Sequence, residues 1–328
     1  MGAYRGVHLG HFDGFFTRSS SLATGTGRDK KPMAITVSVG SGKGGTGKSM
    51  VLANLALLLA REGRRVCVVD LDVGGANAHI FFGLFEPQYS LTDFLTRKVD
   101  NLNDVAYCLD AFYDLKLIPG TGDTLQSANM SYQEKMRLLR GIKAIDADIV
   151  LIDVGAGTNY HSLDFFMAAD LQICITMPEP TAIMDFYRFI QLATLRKALT
   201  SFLSQSEVSK TLKQHNFQTI TEVFELAEEI EEGSRGKIQD ELQSFHPLLI
   251  INKVVPGSKL NSLKLKKMAS KYLGIYLPEL GEIPADALVG ESLQAYMPIC
   301  EYSPKADASL ALLVIWQKLT KIIDLCKK

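Results

Sequence analysis

The stretch SVGSGKGGTGKSM, Ser38 to Met50, most narrows what this chain can become. Before it comes ITVSV (35–39), a β-branched apolar run that ends in glycine; after it comes KSMVLANLALLLAR (48–61), with apolar residues at helical spacing. The order is strand, glycine loop, helix. Glycines 42, 44, 45 and 47 let the backbone curl so that successive N–H groups point inward, and the helix directs its positive end at the same point. Such a nest binds an anion. Gly42 to Ser49 also fits G-x-x-x-x-G-K-[ST], in which Lys48 reaches the terminal phosphates of a nucleotide and the Ser49 hydroxyl ligates Mg²⁺. That pattern needs one lysine, so Lys43 requires a separate explanation.

Further strands are predicted at RRVCVVD (64–70), LKLIPG (115–120), DIVLID (148–153), LQICITMP (171–178) and PLLIINKV (247–254). Helical segments such as Gln133 to Lys143 and Ile183 to Leu199 separate them. This alternation predicts a doubly wound α/β fold, a mostly parallel sheet with helices on both faces. With 328 residues, 47% of them hydrophobic, the chain can bury a substantial core. One domain is expected over 34–328. Between about 200 and 245 the pattern becomes charged amphipathic helix (EVFELAEEIEE, KIQDELQSF), read as a helical insertion that is either a solvated hairpin or a docking surface. Residues 1–33 are read as a disordered extension or a mis-called start, with Met33 as the native first residue.

Charge and cysteine content remove several function classes. Lysine and arginine number 35 against 36 acidic residues, which gives no whole-surface attraction to nucleic acid or anionic lipid. Lys264, Lys267 and Lys271 share one face of a predicted helix, read as a solvated face or a local DNA or partner contact. Five cysteines are scattered without a C-x-x-C pair, which suits a reducing compartment and argues against a disulfide frame or zinc site. No run approaches the roughly 20 apolar residues of a membrane span. The C-terminal helix, about 306–328, is apolar with Lys318, Lys321, Lys327 and Lys328 late in it. Packing on the sheet and amphipathic membrane contact are both open to such a helix.

Phosphoryl transfer also needs carboxylates that hold the metal and place a nucleophile. Asp70 and Asp72 in VCVVDLDVGGAN, and Asp153 in DIVLIDVGAG, stand at the ends of predicted strands. Ligands in open parallel sheets bind outside those ends, so all three should face the glycine loop. Gly155 and Gly157 permit a movable loop beside them.

With K-G-G-x-G-K-S, D-x-D-x-G-G-x-N and L-I-D-x-G-A-G in this order, the sequence resembles the deviant Walker A ATPases of the MinD/ParA group, and within it the MinD-like FlhG branch. The likeness spans about 34–199 and resumes from about 246 to the end. It implies an ATPase of low turnover that uses ATP and Mg²⁺, passes between an ADP monomer and an ATP homodimer, and serves spatial organisation such as flagellar or division-site placement. It implies that Lys43 crosses the dimer interface to the partner's phosphates, within a nucleotide site of Gly42, Lys43, Gly44, Gly45, Thr46, Gly47, Lys48, Ser49 and Met50. Asp72 would position the attacking water, with Lys43 and Lys48 as its catalytic companions; Ser49, Asp70 and Asp153 would serve the metal. MPEPTAIMD (177–185) resembles the family's dimer-face segment, where Glu179 would reach the partner's ribose and Thr181 and Asp185 would hold Lys43 at rest, with Gly155 in the switch. Asn252 resembles the adenine-reading residue and Pro284 the proline beside the base. A regulatory partner, a cytoplasmic location and reversible contact with the inner face of the cell membrane are further implications. Two departures stand out: residues 1–33 hold no D-Q-A-x-x-L-R segment of the flagellar branch, and the insertion exceeds that of compact MinD proteins. The rival readings are an ATP-dependent ligase of the dethiobiotin-synthetase type and a metal-cluster carrier, the latter lacking cysteine pairs.

Overall fold

The structure, a computed structural model, describes residues 33–72, 75, 77–120, 130–258 and 262–327. The readings of residues 1–32 lie outside the described residues.

Eight strands form one sheet: β1 (Ile35–Gly40), β2 (Val66–Leu71), β3 (Tyr107–Leu109), β4 (Leu115–Ile118), β5 (Ile149–Val154), β6 (Leu171–Thr176), β7 (Leu248–Val254) and β8 (Glu279–Pro284). Their spatial order is β3-β4-β2-β5-β1-β6-β7-β8, and every pair is parallel except β3 with β4. The doubly wound class expected from the sequence is therefore what forms. The side of β1 to which successive strands are added reverses, from β2 and β5 on one side to β6 on the other, and the crevice at that switch point lies above the carboxyl end of β1.

The pleat sorts the buried side chains into two cores. Ile35, Val37 and Val39 of β1, with Ile149 and Leu151 of β5, face α1 (Lys48–Arg61). Val150, Ile152 and Val154 of β5 face the opposite side. There lie α2 (Leu91–Leu95), α3 (Tyr132–Lys143), α4 (Tyr160–Ala168) and α5 (Pro180–Leu199), followed by α6 (Glu207–Gln214), α7 (Ile220–Ile230), α8 (Ser234–Gln243) and α9 (Ser262–Met268). The α1 face is completed by α10 (Leu288–Gln294), α11 (Ile299–Tyr302) and α12 (Asp307–Cys326).

Helix α1 is apolar all round because it is buried all round; Met50 to Ala60 are inaccessible. Helix α5 begins three residues earlier than its apolar pattern, since Pro180 occupies the first turn, where its missing N–H costs nothing. The segment 200–245 folds as α6, α7 and α8, with Leu212, Val223, Phe224, Ile238 and Leu242 buried in the same core as α5. Helix α12 lies on β8 and α1 and buries Leu312, Ile315, Leu319, Ile322 and Ile323. This packing covers the apolar face of the helix. Lys264, Lys267 and Lys271 are exposed on α9 and the π-helical turn that extends it. Among the described residues, no helix is long and apolar enough to cross a membrane.

Candidate nucleotide site

Residues 41–47 join β1 to α1. Gly47, the residue before the helix, is left-handed at φ 92°, and Gly45 at φ 77°. Gly42 is required for another reason: a Cβ there would lie 2.0 Å from the Asp185 carbonyl oxygen. At Gly44 and Gly45 a Cβ would meet nothing within 4 Å, so the loop is packed on one side and open on the other. Thr46 is buried, as is Met50 in the first turn of α1, where its carbonyl accepts from Asn54.

Period-two geometry and register place the carboxylates. Asp70 on β2 pairs directly with Asp153 on β5, and Asp153 with Val39 on β1. Both acids therefore project toward the face covered by α1, whose first residues are Lys48 and Ser49. Ser49 Oγ donates to Asp153 Oδ2 at 2.5 Å. Asp153 Oδ1 is buried and has no partner among the described residues. A hydroxyl and a carboxylate with a free oxygen suit a small hard cation, and this pair fits Mg²⁺. Lys48 Nζ, 6% exposed, lies 3.8 Å from Asp72 Oδ2.

Both oxygens of Asp70 are engaged by the backbone. Its Oδ1 accepts the Asp72 backbone N–H at 3.0 Å and its Oδ2 that of Ala78 at 3.0 Å, so it shapes the loop that carries Asp72. Burial, then the adjacent Asp153, pushes Asp70 up to about 8. Burial also raises Asp153, to about 6, against the opposing pull of Lys48 and the Ser49 hydrogen bond. Gly155 lies against Asp72, where a Cβ would be 3.0 Å from Oδ1, and the Gly157 N–H donates to the Ser41 carbonyl at 3.0 Å. The segment after Asp153 is thus tied to the loop before Lys43.

Lys43 turns away from this centre. Its Nζ donates to Thr181 Oγ1 at 2.9 Å and lies 3.5 Å from Glu179 Oε2, both at the start of α5. The holder expected beside Thr181 was Asp185; Glu179 takes that place, and Asp185 serves through its backbone under Gly42. Asn252 is buried and its Nδ2 donates to the Thr46 carbonyl at 2.8 Å, so in this state it braces the loop. Pro284, half-buried, ends β8 in register with Val254, one strand further from the loop. Two contributors escaped the sequence reading. Ser41 Oγ donates to the Lys43 carbonyl at 2.8 Å, and Lys253 Nζ to the Gly45 carbonyl at 2.9 Å. A lysine beside Asn252 at a strand end was the available signal for the second.

The cysteines stay apart from this centre. Cys67 and Cys174 are buried in strands, and burial pushes the Cys67 thiol up to about 12, that of Cys174 higher still, and that of Cys300 up to about 11. The five thiols are dispersed through the described residues and no two form a C-x-x-C pair.

Comparison with known proteins agrees with the geometry. The antiactivator FleN of Pseudomonas aeruginosa is 26% identical over 285 residues, 86% of this chain and 85% of that protein. The flagellum site-determining protein YlxH of Helicobacter pylori is 30% identical over 180 residues, 52% of this chain and 57% of its own length. Among solved structures, the septum site-determining protein MinD of Pyrococcus horikoshii, complexed with Mg-ADP, superposes with a TM-score of 0.62 at 21% identity, over 88% of this chain and 97% of that one. The family described as the CobQ/CobB/MinD/ParA nucleotide binding domain matches residues 37–299. Glycine loop, in-register aspartates and matched span agree: the chain belongs to the MinD/ParA-type nucleotide-binding ATPases of that family.

Proposed function

We propose that the protein is an ATP-dependent switch whose active site is completed by a second copy of itself, and that it acts in spatial regulation, with flagellar placement or number favoured. What supports the switch is the position of Lys43. It belongs to the phosphate loop, yet its ammonium lies on Thr181 and Glu179, and it is 36% exposed. A cation parked outside its own loop on a surface helix start is available to a facing subunit. The likeness to FleN, an antiactivator, and to YlxH, a flagellum site-determining protein, supports the cellular setting. A regulatory protein partner follows the example of the MinC:MinD complex of Aquifex aeolicus, matched here at a TM-score of 0.61 and 19% identity.

In this reading the loop N–H groups and Lys48 would bind the phosphates, and Ser49 and Asp153 would hold Mg²⁺, which would supply charge neutralisation when bound. Asp72, now 3.8 Å from Lys48, accepts a hydrogen bond from the attacking water and orients it. Glu179 and Thr181 release Lys43 to the partner, where its charge stabilises the transferring phosphoryl group. Cations supplied in trans are worth roughly 10³ to 10⁵ in rate in related reactions, so a monomer hydrolyses slowly. Asp70 acts by fixing the Asp72 loop, Asn252 and Pro284 border the base, and Gly155 lets the segment after Asp153 follow the γ-phosphate. The protein works in the cytoplasm, where its nucleotide is.

The test is ATP hydrolysis per molecule measured against protein concentration. The expected result is a specific activity that rises with concentration and then saturates, with Lys43→Ala inactive throughout. A constant specific activity in the wild type contradicts completion by a second copy.

A further inference from the structure

Strand β7 ends in a way an ordinary strand does not. Consecutive side chains of an extended strand point to opposite faces, so Asn252 and Lys253 should diverge. Lys253 instead adopts the left-handed region at φ 56°, beside a break in the pairing with β8 between Ile251 and Val254. A lysine is disfavoured there because its Cβ crowds the following carbonyl, and such a conformation persists only where the surroundings impose it. Its consequence is that both side chains reach one loop. Asn252 Nδ2 donates to the Thr46 carbonyl at 2.8 Å and Lys253 Nζ to the Gly45 carbonyl at 2.9 Å. The fit is close on the other side as well, since a Cβ at Gly47 would lie 2.2 Å from Asn252 Nδ2.

The two carbonyls gripped are consecutive, and this matters for the anion nest. Within a trans peptide plane the carbonyl of one residue and the N–H of the next point in opposite directions. Holding the carbonyls of Gly45 and Thr46 outward therefore turns the N–H groups of Thr46 and Gly47 inward, toward the open side of the loop. We propose that Lys253 is a positioning residue: with Asn252 it forms a clasp that presets the Gly45–Gly47 backbone for phosphate before nucleotide arrives. The division of labour follows burial. Asn252, 1% exposed, grips the inner carbonyl, and the exposed Lys253 needs a long stem to reach the outer one. A charged donor makes the stronger bond to a carbonyl that remains partly in water. The inference rests only on nucleotide binding by this loop and is independent of dimer formation.

The experiment is equilibrium binding of ADP to wild type, Lys253→Met, Lys253→Arg and Lys253→Asn, with thermal denaturation of each without nucleotide. Methionine keeps most of the stem and removes the donor; asparagine accepts the left-handed backbone and is too short to reach Gly45. Lys253→Met and Lys253→Asn should both weaken ADP binding by about 5- to 20-fold, the scale of one lost charge-assisted bond, and Lys253→Arg should recover most of the loss. Steady-state ATP hydrolysis should show the loss in KM far more than in kcat. ADP affinity of Lys253→Met within about twofold of wild type overturns the inference, as does Lys253→Asn binding like wild type. A fall in melting temperature that accounts for the weakened binding, with no recovery in Lys253→Arg, overturns it too. Wild-type protein that binds no ADP overturns both this inference and the nucleotide reading beneath it.

Discussion

Asp70 and Asp153 are neighbours in register on adjacent strands, inaccessible to water, and adjacent to the site proposed to hold a cation. Their ionisation couples the site to the stability of the fold. Burial first, then like charge, holds Asp70 at about 8; burial holds Asp153 at about 6; the ordinary value is 3.8. Between roughly pH 4 and pH 8 the native protein therefore keeps protons that the unfolded chain has released, and stability falls as pH rises through that window. Thermal denaturation of the nucleotide-free protein should give a lower midpoint at about pH 8.5 than at about pH 5.5, and Asp70→Asn should shrink the difference. A midpoint that rises over this range would contradict the assignment. At this scale the sequence was informative where a residue type admits few roles. Lys48, Ser49 and the strand-end aspartates were expected side by side because phosphate and Mg²⁺ call for such residues, and the structure does place them together. The use of Asp70 oxygens by the Asp72 and Ala78 backbone was not, since a loop's path decides which N–H groups come near. The same limit hid Lys253, whose reach depends on one left-handed residue.

Elements were legible according to how completely they are buried. The six strands predicted from continuous apolar runs, β1, β2, β4, β5, β6 and β7, are each paired on both edges. The two that the runs did not reveal, β3 and β8, are the edges of the sheet. In β8 only Leu280 and Ile283 are fully buried, too little to outweigh Gly281 and the flanking acids in a propensity reading. Helix α12 had two readings from sequence because a helix that packs on a sheet and one that lies in a membrane show the same apolar face. Packing on β8 and α1 now occupies that face; Leu310 and Val314 are the large apolar residues left exposed on its outer side. Leu312→Ala should therefore destabilise the fold by about 2–5 kcal/mol in urea unfolding, and Leu310→Ala by no more than about 0.5 kcal/mol. Sedimentation with anionic liposomes should leave the wild type in the supernatant with ADP and with ATP alike. Near-equal effects of the two substitutions, or pelleting with ATP, would return α12 to the membrane reading.

Across the whole molecule, the two cores meet at the sheet, and the crevice above β1 receives loops from both faces. From the α1 side come Lys48 and Ser49; from the other come Glu179 and Thr181 at the head of α5, carrying Lys43. Helix α5 is also joined to α3 and α4, since Lys135 and Arg196 both pair with Asp164. Asp164 feels burial pushing it up, but the two cations hold it below the usual carboxylate range. The resting place of Lys43 is thus fixed to the framework of one face; in the proposed switch the phosphate site it completes is that of another copy. That relation between two molecules is what no single chain displays, and it is the central claim. Light scattering of wild type, Lys43→Ala and Asp72→Ala with ADP and with ATP tests it most directly. The predicted result is a monomer in ADP for all three, a dimer in ATP for the wild type, a longer-lived ATP dimer in Asp72→Ala, and an ATP complex in Lys43→Ala that fails to dimerise or to turn over. A wild-type monomer in both nucleotides, or identical masses and turnover for wild type and Lys43→Ala, would contradict it.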